Sequence, residues 1–395
     1  MSKKNILFVN YSLHSGGIEK SLVTILSLFD YDKYNVDLQL FANDGMFLER
    51  VSEKVNLLPP LFPKEYKLNI RQAFFALIKK GYPKIAFCRL LVTFAGLNGT
   101  MGERLVKMWN IERRFIKAPK KEYDAVIAFM EGQPIYYAVT KVKSKVKIGF
   151  IHGDYIAMGL NKDFDYDYIK QLNALCTVSE SCKTALVKTF PNISDKFHVI
   201  YNIISSNFMR DMADEKADFE DDFGGMRVLS IARLSKQKGL DIALPAIAKL
   251  KKNGLSFKWY IIGIGPEKEN LQAVINELDI GDYVKFMGER SNPYPYLKAC
   301  DIYMQPSRFE GKSIAVDEAM VMCRPILLTN FSTAADQIKS GENGLIVEMN
   351  SDGVAEGLEK LLTNEKLRAK YTDALERCDY TNEDEINKLY KLIDQ

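Results

Sequence analysis

The sequence contains few cysteines, and none has the spacing of a metal site. Its six cysteines are scattered over 395 residues, and no two form a Cys-x2-Cys pair. Structural zinc sites and small disulfide-bonded secreted domains both need clustered cysteines. We therefore expect free thiols, a reducing compartment and no bound metal.

Long apolar runs are also missing. The first run, residues 6–9, is too short for the apolar region of a signal peptide. No run approaches the roughly 20 apolar residues that span a bilayer. The nearest, residues 85–97, is short and contains Arg89. These absences predict a cytoplasmic protein without a membrane-spanning helix.

The chain as a whole has no large excess of positive or negative charge, and its net charge is only +3. This value gives no indication of a nucleic-acid partner. Residues 64–121 are an exception, with fourteen Lys or Arg and three acidic residues. The large apolar residues among them are Phe74, Phe75, Phe87, Leu90, Leu91, Phe94, Trp109 and Phe115.

This mixture is typical of an interfacial helix on an anionic membrane. It predicts peripheral association with the inner face of the cell membrane. Two alternatives remain open: the basic residues bind an anionic acceptor, or they form a solvated face of a helical excursion.

Short apolar runs alternate with helical patterns along almost the whole chain. The predicted strands are residues 6–9, 36–41, 125–129, 147–151, 174–178 and 197–201, then 227–232, 257–263, 284–287, 302–305, 325–329 and 345–347. This βαβ rhythm predicts an α/β fold with parallel, doubly wound sheets.

The chain changes character near residue 203, where an acidic and weakly periodic stretch, 211–222, precedes a fresh βαβ series. We predict a first Rossmann-like domain at 1–203, with a helix at 380–395 that packs back on it. A second such domain covers 204–379. Ligands bind at the carboxyl ends of parallel strands, so we expect the two domains to face each other across a cleft.

The first strand leads into a loop with paired glycines, Gly16 and Gly17, before a helix. Such glycines let backbone approach a ligand, and a helix N-terminus favours an anion. A plain tight turn explains the pair equally well. The loop lacks the Gly-Lys-Ser/Thr ending of a Walker motif.

Basic residues and glycines follow the first two strands of the second half. Arg233 and Lys238 would offer a guanidinium and an ammonium group to a diphosphate. Gly263 and Gly265 follow the next strand. The dinucleotide fingerprint Gly-x-Gly-x-x-Gly is absent, because its last position is Lys268.

Residues 307–320 contain the most informative pattern. Glu310 and Gly311 follow a predicted strand, and Glu318 lies about two turns into the next helix. One carboxylate can accept hydrogen bonds from sugar hydroxyls and the other from ribose hydroxyls, while the helix N-terminus meets a phosphate. A solvated helix face is the alternative explanation of the two glutamates.

The pair Glu310 and Glu318, with Ala-Met after the second, resembles the signature of the retaining glycosyltransferases of family 4, which have the GT-B fold. The resemblance covers most of the chain, and its specific part is the second half. It implies a retaining transfer of a hexose or N-acetylhexosamine from a nucleotide diphosphate sugar. It also implies that no metal takes part and that no cofactor is needed, the nucleotide sugar being a substrate.

The resemblance also implies roles for single residues. Arg233 and Lys238 would bind the diphosphate, Glu310 the transferred sugar and Glu318 the ribose. The remaining implied donor contacts are Gly16, Gly17, Gly263, Gly265, Met287, Gly311, Lys312, Ser313 and Ile314. His152, after the strand at 147–151, matches a histidine that reaches the donor sugar.

The chain departs from the family where Lys312 and Ser313 replace the Phe-Gly of the usual Glu-Gly-Phe-Gly. This variant resembles bacterial capsule and exopolysaccharide transferases, for which a UDP-sugar donor and a lipid-linked or polysaccharide acceptor are expected. Lys312 could add a cation near the phosphate or sugar. An epimerase or phosphorylase of the same architecture and a nonenzymatic nucleotide-sugar sensor remain as alternatives.

An Asp-x-Asp pattern occurs at Asp163, Asp165 and Asp167. In the other main glycosyltransferase fold such a pattern binds a divalent metal. Its place in a polar stretch between strands favours a solvated acidic loop here.

Overall fold

A computed structural model describes residues 3–14, 16–96, 98–153, 155–156, 158–310 and 312–395. The chain divides into two compact units. The first contains residues 1–203 and 383–395, and the second contains residues 204–382.

The strands of the described residues are β1 (Lys4–Asn10), β2 (Tyr34–Leu40), β3 (Asn56–Leu57), β4 (Tyr123–Ala128), β5 (Ser144–Ile151), β6 (Ala174–Thr177), β7 (Phe197–Val199), β8 (Met226–Ile231), β9 (Phe257–Ile262), β10 (Val284–Gly288), β11 (Ile302–Gln305), β12 (Ile326–Thr329) and β13 (Leu345–Val347). Every predicted apolar run lies on one of these strands. The two-residue strand β3 was not predicted.

The α-helices are α1 (Gly17–Leu28), α2 (Ile70–Lys79), α3 (Pro83–Ala95), α4 (Met101–Glu112), α5 (Gln133–Lys141), α6 (Lys162–Ile169), α7 (Glu180–Thr189), α8 (Ser206–Ala213), α9 (Leu240–Lys252), α10 (Lys268–Glu277), α11 (Tyr294–Ala299), α12 (Ile314–Val321), α13 (Ala334–Gln337), α14 (Ser351–Thr363), α15 (Glu365–Glu376) and α16 (Ile386–Ile393). Short 3-10 turns cover Leu48–Arg50, Lys64–Lys67, Pro191–Lys196, Lys236–Lys238 and Glu383–Glu385.

Each unit is built around one parallel sheet. The order is β3-β2-β1-β4-β5-β6-β7 in the first unit and β10-β9-β8-β11-β12-β13 in the second. Central strands are covered on both faces, so they are apolar almost throughout: residues 6–9 of β1 are fully buried. Strand β1 pairs with both β2 and β4, placing Ile6 beside Val36 and Ala125. The predicted fold of two Rossmann-like domains is thus confirmed.

The basic stretch between β3 and β4 forms three helices, α2, α3 and α4, rather than one. Their inner faces join the core of the first unit, where Trp109 is fully buried and donates its indole N–H to Tyr168 at 3.0 Å. Trp109 therefore cannot take part in an interfacial surface. Phe75 and Phe94 are instead 72% and 69% exposed.

One local expectation was wrong. The Asp-x-Asp stretch is not a solvated loop, because it lies on α6 and Asp165 is buried. The hydroxyls of Tyr136 and Tyr155 both donate to the Asp165 carboxylate. The first residues of the acidic stretch 211–222 complete helix α8.

Helix α16 packs on the strands and loops of the first unit. The ring of Tyr390 stacks on Tyr34 with centroids 5.4 Å apart and contacts Phe29 edge-on. Its hydroxyl accepts from the Asp30 amide at 2.8 Å. Leu389, on the same helix, is fully buried.

Replacing Leu389→Ala should therefore lower the free energy of unfolding of the first unit by about 3 kcal/mol, because it leaves a cavity under α16. Urea unfolding would measure the change. Lys391→Ala, at an exposed position of the same helix, is the matched control. Equal effects of the two substitutions would contradict this packing.

Candidate functional site

Gly16 and Gly17 connect strand β1 to helix α1 in the first unit. Gly16 precedes the helix with φ of 172°, an extended conformation that any residue can adopt. A side chain at Gly16 would meet the carboxylate of Glu19, on the first turn of α1. The small size of Gly16 thus leaves room for Glu19, and a phosphate contact at these glycines stays a prediction.

His152 lies directly after strand β5, half-buried between Phe129 and Phe150. Its Nε2 is 2.9 Å from the carbonyl oxygen of Phe129. Burial lowers the pKa of His152 to about 4, and the hydrogen bond only partly offsets this effect. A neutral ring that donates from Nε2 keeps Nδ1 as an acceptor, which suits a sugar hydroxyl.

Glu131 is a candidate that no sequence pattern predicted. It follows strand β4, and its carboxylate accepts from the His152 amide at 3.3 Å. Burial raises the pKa of Glu131, and the nearby charge of Glu19 adds to this effect. Two carboxylates therefore lie near the first unit's glycine loop and its histidine.

Three glycines in the second unit are required by close backbone packing. Gly239 has φ of 61°, and a Cβ there would lie 1.9 Å from the carbonyl oxygen of Pro306. Gly263 has φ of 143°, and its Cβ would lie 2.0 Å from the carbonyl oxygen of Ala232. Gly265 is equally close to Leu234. These contacts hold together the loops that follow β8, β9 and β11. Close packing alone therefore accounts for glycine at these positions, and no ligand contact is needed to explain it.

Lys238 and Glu310 form an ion pair within this loop cluster. The Nζ–Oε1 distance is 2.7 Å, and the side chains are 19% and 6% exposed. The same Oε1 accepts from Gln305 Nε2 at 2.8 Å and from Ser307 Oγ at 2.6 Å. Among the described residues, Oε2 has no hydrogen-bond partner, so it is the oxygen left for a ligand.

Glu318 occupies a separate, buried position on helix α12. Its carboxylate accepts from the hydroxyl of Tyr294 at 3.2 Å. The charges of Glu318 and Glu310 both raise the pKa of Tyr303, after the larger effect of burial. The two glutamates thus lie near one tyrosine, and Tyr303 in turn donates to Gln305 at 2.8 Å.

The residues around the start of α12 are held by side chains from elsewhere in the second unit. The Nζ of Lys312 lies 3.3 Å from Asp317 Oδ2, so its charge is already compensated. Ser313 is buried and bonded to Gln305 through its hydroxyl. Ile314 opens the helix and is half-buried. Gly311 lies outside the described residues.

Arg233 and Met287 contrast in their exposure. Arg233 is exposed after β8 and has no ion-pair partner in the part of the chain that the structure describes, which leaves its guanidinium available to an anion.

The side chain of Met287 is buried in the core with Phe219 and Tyr296. A role for β10 in framing a base would therefore rest on backbone groups.

Neither a metal-binding cluster nor a membrane-spanning helix occurs in the part of the chain that the structure describes. Within the described ranges, no group of three or more His, Cys, Asp or Glu residues is arranged to hold a metal ion. None of the described helices combines the length and apolarity needed to cross a bilayer.

Part of the second unit is similar to a known family. Residues 213–377 match the family described as Glycosyl transferases group 1. The chain is 26% identical over 363 residues to N-acetylgalactosamine-N,N'-diacetylbacillosaminyl-diphospho-undecaprenol 4-alpha-N-acetylgalactosaminyltransferase of Campylobacter jejuni, covering 91% of both chains. It is 30% identical to the putative colanic acid biosynthesis glycosyltransferase WcaL of Salmonella typhimurium, covering 32% of this chain and 33% of that protein.

Solved structures show the fold of the whole chain. Anabaena Alr3699/HepE in complex with UDP and glucose superposes with a TM-score of 0.66 at 17% identity, covering 99% of this chain and 100% of that one. Staphylococcus aureus TarM, in a complex that contains UDP, has the same TM-score at 14% identity, covering 99% and 100%. The predicted GT-B fold is thus confirmed, and the matches together support a glycosyltransferase enzyme.

The low pKa of His152 can be tested by titration of the folded protein. Its imidazole should titrate near pH 4 in NMR spectra of the folded protein, well below the ordinary value of 6.5. The unfolded state then binds the proton first, so this residue should reduce stability as pH falls from about 6.5 towards 4. His152→Gln would assign the signal among the three histidines. A midpoint near 6.5 would contradict the burial of the ring.

Proposed function

We propose that this glycosyltransferase transfers a hexose or N-acetylhexosamine, with retention and without a metal, from a UDP-sugar to a lipid-linked or polysaccharide acceptor in bacterial surface glycan synthesis. The ion pair between Lys238, in the loop after β8, and Glu310, in the loop before helix α12, carries the proposal. The names of the Campylobacter and Salmonella relatives, which specify an undecaprenol-linked acceptor and colanic acid biosynthesis, support the acceptor class, and the UDP complexes of the fold neighbours support the nucleotide.

The transfer breaks the bond between the anomeric carbon and the β-phosphate oxygen, and UDP leaves with the electron pair. The acceptor hydroxyl forms the new bond on the same face of the sugar and passes its proton to the leaving phosphate. Arg233, Lys238 and the first amides of α12 are the groups proposed to stabilise the leaving charge. Glu310 Oε2 would accept from sugar hydroxyls, and Glu318 would bind the ribose.

The first unit is proposed to bind the acceptor. We assign the neutral His152 to a hydroxyl of the donor sugar, since Nδ1 can accept a hydrogen bond at physiological pH. Gly17 would approach the phosphate. Lys312, whose Nζ pairs with Asp317 as that of Lys238 pairs with Glu310, stays a candidate for phosphate binding.

Replacing Glu310→Gln should reduce turnover about 10²- to 10³-fold and leave UDP affinity nearly unchanged, because Glu310 is assigned to the sugar. His152→Ala should behave similarly. Release of UDP from a panel of UDP-, GDP- and ADP-sugars measures turnover, and calorimetry measures affinity. Glu356→Gln, at an exposed position of α14, is the matched control.

The same assays distinguish the alternatives. An epimerase would convert the nucleotide sugar without releasing UDP, and a phosphorylase would require inorganic phosphate. A sensor would bind a nucleotide sugar without turnover. Any of these outcomes with the wild-type protein would overturn the proposed transfer.

We further propose that the face of α2 and α3 binds an anionic membrane. The two helices expose a set of large apolar side chains: Phe75, Ile78, Tyr82, Phe87, Leu91 and Phe94. Basic residues accompany them, including Arg71, Lys79 and Lys84, which are exposed. Apolar side chains inserted at the headgroup level, flanked by cations, match the charge and polarity of an anionic bilayer surface.

The protein should float with vesicles of phosphatidylcholine and phosphatidylglycerol more than with vesicles of phosphatidylcholine alone. Replacing Phe75→Ser together with Phe94→Ser should reduce flotation at least about 10-fold, since two large apolar side chains are lost from the bilayer. Phe309→Ser removes an exposed phenylalanine of the second unit as a control. Equal, low recovery with both vesicle types would contradict membrane binding.

A further inference from the structure

Helix α13 holds the residues on both sides of position 311 by hydrogen bonds that no sequence motif predicts. Thr333, just before the helix, donates its hydroxyl to the Glu310 carbonyl oxygen at 3.0 Å. Gln337, its last residue, accepts from the Ser313 amide at 3.0 Å and donates to the Ser313 carbonyl oxygen at 2.9 Å. A short helix from a different βα connection therefore fixes both Glu310 and Ser313.

Gln337 also reaches Asp317, on the first turn of α12. Its Nε2 donates to Asp317 Oδ1 at 2.8 Å, while Asp317 Oδ2 faces Lys312. Gln337 and Asp317 are 7% and 8% exposed. These bonds involve Lys312 and Ser313, the two residues at which the chain departs from the Glu-Gly-Phe-Gly pattern.

The hydrogen bonds connect the start of α12 to the Glu310 carboxylate. Gln337 holds the backbone of Ser313, whose hydroxyl bonds to Gln305, and Gln305 donates to Glu310. The Ser313 amide is occupied by Gln337, so a phosphate would meet the amides that follow it, beginning with Ile314. The donor is proposed to contact Glu310 through its sugar and these amides through its phosphate. Both contacts form together only if the distance between Glu310 and the amides is fixed.

We propose that Gln337 is a positioning residue for the donor: it sets the start of α12 relative to Glu310, so that one nucleotide sugar contacts both. This inference rests on the proposed function. It assigns to α13 the control of the sugar-phosphate geometry, while nucleoside binding relies on other residues. Misplacement of a reacting group by about 1 Å can lower a rate about 100-fold.

The test compares Gln337→Glu and Gln337→Ala with the wild-type protein. The carboxylate of Gln337→Glu can still accept from Ser313, but it cannot donate to Asp317 and repels it. We expect kcat/KM for the UDP-sugar to fall about 10- to 100-fold, with UDP affinity changed less than about 3-fold. Gln272→Ala, on the exposed face of α10, is the matched control.

A compensating pair separates positioning from general damage. In the double variant Asp317→Asn with Gln337→Glu, the new amide at 317 can donate to the new carboxylate at 337, which restores the contact with reversed polarity. This variant should recover at least about 10-fold in kcat/KM over Gln337→Glu alone. Circular dichroism at the assay temperature confirms that each variant is folded.

Unchanged turnover in Gln337→Ala and Gln337→Glu would overturn the inference, and so would a parallel loss of UDP affinity or no recovery in the double variant. In each case an active wild-type protein would leave the proposed function standing. A wild-type protein that binds no nucleotide sugar would instead refute the proposed function, and the role of Gln337 with it.

Discussion

A carboxylate withdrawn from water needs hydrogen-bond donors around it, and Lys238, Gln305 and Ser307 supply them to Glu310. The donors come from two places in the sequence, the loop after β8 and the end of β11. One anion therefore fixes the relative positions of both. Because three bonds converge on Oε1, the carboxylate is held in one orientation, which also sets the direction of Oε2.

Close backbone contacts make this arrangement sterically specific. Gly239 packs against the carbonyl group of Pro306. This contact fixes the path of the chain before and after both residues. Lys238 immediately precedes Gly239, and Ser307 immediately follows Pro306. The same contact therefore brings the lysine and serine to one carboxylate. Any larger residue at position 239 would separate these two loops and strain a backbone with positive φ.

The fold was largely predictable because its strands are short apolar runs separated by helical patterns. Lys238 and Glu310 were predictable for a related reason: each lies just past a predicted strand, where parallel sheets collect polar residues. Gln337 was not, because its partners are 20 or more residues away and amide groups have no characteristic spacing. Composition misled at Trp109 and Asp165, which are buried and bonded to tyrosines distant in the sequence: Trp109 donates to Tyr168, and Asp165 accepts from Tyr136.

The chain leaves the first unit after residue 203 and returns at residue 383. The two ends of the intervening segment meet, since Asn382 Oδ1 accepts from the Ile204 amide at 2.7 Å. The second unit is thus a continuous insertion whose termini are already adjacent. It could be excised as a single polypeptide or circularly permuted with a short linker, whereas the first unit requires two separate pieces of chain to complete its core.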